Sequence, residues 1–294
     1  MRLGGEPESS NFEDRTGQIG GGGGFGGGGL GCLIPLVMSR FGLGGVVVLL
    51  IGYFLLSSLG GLGGGGGSLT GGRSPQTAAS GQSTLTPEVR SFLLRVLGST
   101  EQTWGQIFAK SGQRYQPTTL VAYRGGTDTA CGYGQAAAGP FYCPNDAKVY
   151  IDPDFFNELS QRFGAPGDFA MAYVIAHEVG HHVQDLQGRL TEAHSAQARA
   201  SEKQGNAIQV GIELQADCYA GVWAKNARDA QGNIMEPGDF EEGMRAAEAI
   251  GDDTLQKQSQ GVVVPDSFTH GTSAQRMEAL RRGYTTGDPA QCKF

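Results

Sequence analysis

Glycine sets the first limit on what this chain can fold into. Of its 50 glycines, 26 fall in residues 1–73, and such a stretch has much backbone entropy to lose and few side chains to bury, so it builds no packed core. Residues 1–40 therefore read as a disordered, Gly-rich tail, with glycine runs at 20–24 and 26–29. A phosphate-cradling loop is excluded there because no Lys-Ser or Lys-Thr follows the glycines. Residues 41–59 are uncharged and mostly apolar, the length of a helix that crosses a bilayer. Arg2, Arg15 and Arg40 precede this run and Arg73 follows it, which places the N-terminus in the cytoplasm and the rest of the chain outside. Forty residues are too many before an ordinary cleavable leader, so the run reads as a single uncleaved anchor, with cleavage near residues 58–60 left open. Residues 60–85 read as a flexible Gly/Ser/Thr linker.

A globular domain is left to residues 86–294. Residues 1–73 hold four Arg and four acids, so the net charge of −7 belongs to residues 74–294. Such a domain is a poor partner for nucleic acid or an anionic membrane surface. Thr86-Pro87 signals a helix start, and Val89, Phe92, Leu93, Val96, Leu97, Trp104, Ile107 and Phe108 form its apolar stripe. The stripe is broken near Gly98, which predicts two short helices or a kinked one. Strands are expected at 118–124 and 148–151, with 129–134 and 139–144 paired as a hairpin between them. Helices are expected at 153–163, 237–257 and 273–282, the last capped by Thr272, and 191–205 reads as a solvated polar segment. The pattern is α+β, mainly helical with a small antiparallel sheet.

The chemistry is concentrated in His177-Glu178-Val-Gly-His181. Four residues apart on a helix, the two imidazoles lie one turn apart on one face, with Glu178 projecting beside them. This is the spacing of a zinc-binding His pair with a neighbouring general base. Met171, Tyr173, Val174, Ile175, Ala176 and Val179 surround the motif, so an uncompensated charge there would be costly. A second stretch, Glu213-Leu-Gln-Ala-Asp217, sets two acids on one helical face, where they repel unless a cation is near. Glu213 as third ligand of one Zn2+ ion, with Asp217 orienting a ligand imidazole, satisfies both.

Together the two motifs resemble the gluzincin signature. The chain through Ser267-Phe-Thr-His270-Gly-Thr-Ser-Ala-Gln-Arg276 is similar to the bacterial neutral zinc metallopeptidase family (YpfJ-like). The resemblance implies a zincin-like, minimal gluzincin domain over 86–294 and a metalloendopeptidase acting on protein or peptide substrates through a zinc-activated water. It also implies a sheet edge that receives the substrate, for which residues 130–134 are the candidate by position. Glu178 would be the general base, and Tyr219 and His270 are the candidates for stabilising the oxyanion. His194 is a poor ligand beside Glu213. Two rivals stay open: a zinc-binding envelope interaction module without catalysis, and a zinc amidase acting on cell-wall peptides.

Cys131 and Cys143 bracket the expected hairpin, which leaves Cys218 and Cys292 as a long-range pair, although four cysteines allow three connectivities. Two disulfides fit an oxidising compartment, periplasmic or extracellular. Cys32 precedes the apolar run and stays unpaired on the reducing side.

Overall fold

Thr86-Pro87 opens a helix in the computed structural model, which describes residues 1–18 and 82–294. Thr86 Oγ1 accepts the Val89 amide at 3.3 Å and Pro87 takes the first position of α1 (Pro87–Lys110). This is one continuous helix of 24 residues, not two. Gly98, which suggested a break, serves a close approach instead: a Cβ there would lie 2.1 Å from the Pro7 carbonyl oxygen. The disordered tail expected over 1–40 is thus corrected for residues 1–18, which pack against the domain.

Those residues also supply a strand. β1 (Phe12–Asp14) pairs in parallel with β2 (Thr119–Ala122), and the sheet order is β1-β2-β6-β5. β6 (Lys148–Ile151) is parallel to β2, while β5 (Phe141–Cys143) is antiparallel to β6. The main sheet is therefore mixed, where an antiparallel one was expected. β3 (Gly126–Thr129) and β4 (Gly132–Gln135) form a separate antiparallel hairpin. The segments 129–134 and 139–144 do not pair with each other: residues 132–135 pair with β3, and residues 141–143 pair with β6.

The remaining helices are α2 (Phe155–Gln161), α3 (Asp168–Leu186), α4 (Arg189–Gln197), α5 (Glu202–Asn226), α6 (Asp239–Ala249), α7 (Asp252–Gln260) and α8 (Ser273–Thr286). Part of the polar segment at 191–205 is helical, as α4. The single helix expected over 237–257 is two, broken at Gly251, where a Cβ would meet the Ser273 backbone nitrogen at 2.4 Å. Thr272 caps α8 reciprocally with Gln275. A short hairpin, β7 (Arg228–Asp229) and β8 (Gly232–Asn233), follows α5.

Helix α3 runs through the core, where Trp104, Trp223, Phe169 and Tyr173 are fully buried. Phe169 stacks on Trp223 at 6.0 Å between ring centroids. Helices α5 and α8 meet backbone to backbone: a Cβ on Gly283 would lie 1.9 Å from the Cys218 carbonyl oxygen, and one on Gly221 2.2 Å from that of Leu280. Cys131–Cys143 and Cys218–Cys292 are disulfides, the second tying the C-terminal tail to α5. The fold is α+β, mainly helical with small sheets. Among the described residues no helix is long and apolar enough to cross a membrane, and the span expected at 41–59 lies outside them.

Candidate metal centre

Helices α3 and α5 can approach closely because Gly180 faces Ala216, whose carbonyl oxygen lies 3.0 Å from where a Gly180 Cβ would be. Beside this close approach, the helices present their polar groups to each other. His177 Nε2 lies 3.1 Å and His181 Nε2 3.4 Å from the same oxygen, Glu213 Oε2. Gln209 Nε2 donates to the other Glu213 oxygen at 2.9 Å. All three side chains offer donor atoms within 4.8 Å of one another.

The hydrogen bonds on the far sides of the rings fix what the near sides can do. His177 Nδ1 donates to Asp217 Oδ1 at 2.8 Å, and His181 Nδ1 donates to Gln184 Oε1 at 2.9 Å, a tautomer assignment that follows from the acceptors present. Without a metal the Nε2 atoms can be protonated and donate to Glu213; in the neutral rings both Nε2 lone pairs turn toward the carboxylate oxygen, an arrangement that a bound cation satisfies. Two imidazole nitrogens and a carboxylate oxygen are a zinc donor set, so the residues fit that metal.

Electrostatics separates the carboxylates. Burial would raise Glu213, but His181 and His177 hold it well below the usual carboxylate range. Asp217, fully buried, is also held down against burial by Arg276 and His177. Burial lowers His177, and Asp217 more than reverses this, leaving it pushed up to about 10. Glu178 goes the other way, raised by burial that the two histidines offset only in part. It makes no hydrogen bond to any described residue and faces the cleft above the metal-binding groups.

Several groups without an assigned role in the sequence prove to build this centre. Arg276 of α8 donates from Nε to Asp217 Oδ2 at 2.8 Å and from Nη2 to Asp217 Oδ1 at 2.9 Å, and Tyr173 Oη donates to Asp217 Oδ1 at 2.6 Å. Gln184 reaches on to the Ile212 carbonyl and Gln215, locking α3 to α5. His182 points away from the site, with Nε2 2.7 Å from the Gln116 carbonyl and Nδ1 3.1 Å from the Tyr142 hydroxyl.

The centre lies in a cleft of about 790 Å³. Residues 136–142, and not the expected 130–134, form its sheet-side wall, because the Tyr142–His182 contact draws β5 onto α3 while β3 and β4 pair apart. His270 lies on the opposite rim, its Nδ1 3.2 Å from Asp252 Oδ1. Asp252 Oδ2 accepts the backbone amides of Thr269, His270 and Gly271 at 2.7, 2.7 and 3.1 Å. His194 also lines the cleft but lies outside the three converging groups. Tyr219 is corrected: its hydroxyl donates to Gln187 at 2.8 Å and its ring packs on Trp104, away from the cleft.

Comparison with known proteins gives the family of the chain. The family model "Putative neutral zinc metallopeptidase" matches residues 1–294. "Uncharacterized protein YpfJ" of Escherichia coli K12 is 48% identical over 302 residues, covering 99% of this chain and 98% of its own. "Uncharacterized protein Mb2605" of Mycobacterium bovis is 42% identical over 187 residues, 60% of this chain and 62% of its own. No solved structure matches. The chain belongs to the YpfJ-like neutral zinc metallopeptidase family.

Proposed function

We propose that this protein is a zinc-dependent endopeptidase working on protein or peptide substrates in an oxidising compartment. The observation that carries the reading is Glu178: a buried carboxylate, raised by its surroundings, beside the converging ligands and bonded to nothing described. A structural metal site has no use for such a group. His177, His181 and Glu213 would hold the zinc, which supplies Lewis-acid polarisation of the scissile carbonyl and acidifies a water. Glu178 takes the proton from the attacking water and delivers it to the leaving amine nitrogen as the C–N bond breaks. Asp217, fixed by Arg276 and Tyr173, keeps the His177 ring in the tautomer that presents Nε2. His270, steadied through Nδ1 by Asp252 on the cleft, would offer its other nitrogen to developing oxyanion charge. An extended peptide lies between that rim and the wall at 136–142. The two disulfides support export of this domain.

The test is Glu178→Gln in the full-length protein, assayed on a fluorescence-quenched unfolded protein. Zinc stoichiometry should stay at one per chain while turnover falls by about 10²–10⁴. Unchanged turnover overturns the catalytic reading.

A further inference from the structure

The N-terminal segment is built into the metallopeptidase domain along its whole described length. Arg95 donates to the carbonyl oxygens of Leu3, Gly4 and Glu6 at 3.0, 2.9 and 3.2 Å. The Pro7 carbonyl occupies the space over Gly98, and the Ser9 amide donates to the Leu94 carbonyl at 3.0 Å. Ser9 and Asn11 both donate to Glu101. Phe12, Glu13 and Asp14 pair with Leu120, Val121 and Ala122, and Glu13 forms an ion pair with Lys148. Gly98 and Arg95 on α1 are matched to a neighbour that lies more than eighty residues away in sequence, so this contact is part of the fold's design.

The segment also ends in a defined place. The Thr84 amide donates to Thr16 Oγ1 at 3.0 Å, the Ser83 hydroxyl donates to the Asp14 carboxylate, and Arg90 lies 3.5 Å from the same carboxylate. The chain therefore leaves for residues 19–81 and returns from them at a single point. A helix crossing a bilayer once separates its two ends by about 30 Å, on opposite faces. Hydrogen-bonded Thr16 and Thr84 cannot be so separated.

We infer that residues 1–18 and the metal centre occupy the same compartment, so that the chain just before residue 19 and just after residue 81 lies on one face of any membrane the protein meets. The sequence is consistent with this: from residue 20 to 59 the sole charge is Arg40, so no charged stretch marks a far-side domain. The positive-inside count that placed the N-terminus opposite the catalytic domain is overridden, since Arg2, Arg15 and their neighbours are held by folded contacts. Arg2 donates to the Asn233 carbonyl at 2.6 Å, and Arg15 to Thr127 and to the Asp128 carbonyl.

The experiment uses the full chain with Cys32→Ser in bacterial cells. Single cysteines at exposed Ser10→Cys or Glu202→Cys are treated with a membrane-impermeant maleimide before and after lysis. The two positions should behave alike, and reactivity of one before lysis and of the other only after it overturns the inference. A second chain carries Asp14→Cys with Ser83→Cys and a protease site between residues 63 and 67. After a short bis-maleimide and proteolysis, the fragments should migrate as one species of single-chain mass. Separated fragments, or a species joining two copies, overturn it independently of peptidase activity.

Discussion

The floor of the cleft and its rims are built by different means. On the floor, α3, α5 and α8 touch through Gly180, Gly221 and Gly283, and every buried charge but Glu178 has a bonded partner. On the rims, residues 136–142 hang from an edge strand and a disulfide, and α7 buries only Asp252 of its nine residues. Metal geometry demands positions fixed to a fraction of an ångström, whereas a peptide-accepting wall must give way. Stability and substrate affinity should therefore respond to different substitutions.

The largest effect should come from Arg276→Met, which leaves Asp217 charged and buried without its guanidinium. We expect a loss of about 3–5 kcal/mol in chemical denaturation together with weakened zinc retention. A loss below about 1 kcal/mol would show that the floor is not held by this pair. Next, replacing Cys131 and Cys143 together by Ser frees the wall's loop and should cost about 2–3 kcal/mol. KM should rise more than kcat falls and zinc content should stay unchanged. Zinc lost in parallel would erase the distinction between floor and rim.

Asp252→Asn sharpens the rim side through pH. Burial opposes the charged form, but His270 and the loop amides hold Asp252 below the usual carboxylate range. Its contribution is therefore present above the unfolded carboxyl pKa and lost as pH falls through its lower folded value. The variant should lose about 1–2 kcal/mol at pH 7 and converge with the wild type in strong acid. A constant gap in melting temperature across pH would assign the effect to packing. Smallest of all, Ala137→Val on the exposed wall should change KM several-fold with stability within about 0.5 kcal/mol.

The residues that converge in the cleft were legible in the sequence because helical periodicity is local: His177 and His181 share a turn, and Glu213 and Asp217 share another. The helix starts at Thr86 and Thr272 were legible for the same reason. Arg276 was not, since nothing in a chain records that a guanidinium 59 residues from Asp217 will meet it. Gln184, at the i+3 position from His181, carried only a spacing hint. Tyr219 was misread because an aromatic beside a motif carries no signal of which helical face turns inward. The parallel pairing of β1 was hidden by composition: glycine in residues 20–73 coloured the reading of the first eighteen, which contain Phe12, Asp14 and Arg15 in fixed contacts.

Arg276 comes from α8, the last helix of the described fold, and that carries a consequence for timing. A nascent chain that has emerged only as far as α7 already contains His177, Glu178, His181 and Glu213. It lacks the counter-charge for Asp217 and the backbone of Gly283 that seats α5. The setting of His177 and Glu213 is thereby completed only once α8 has been made and has docked on α5.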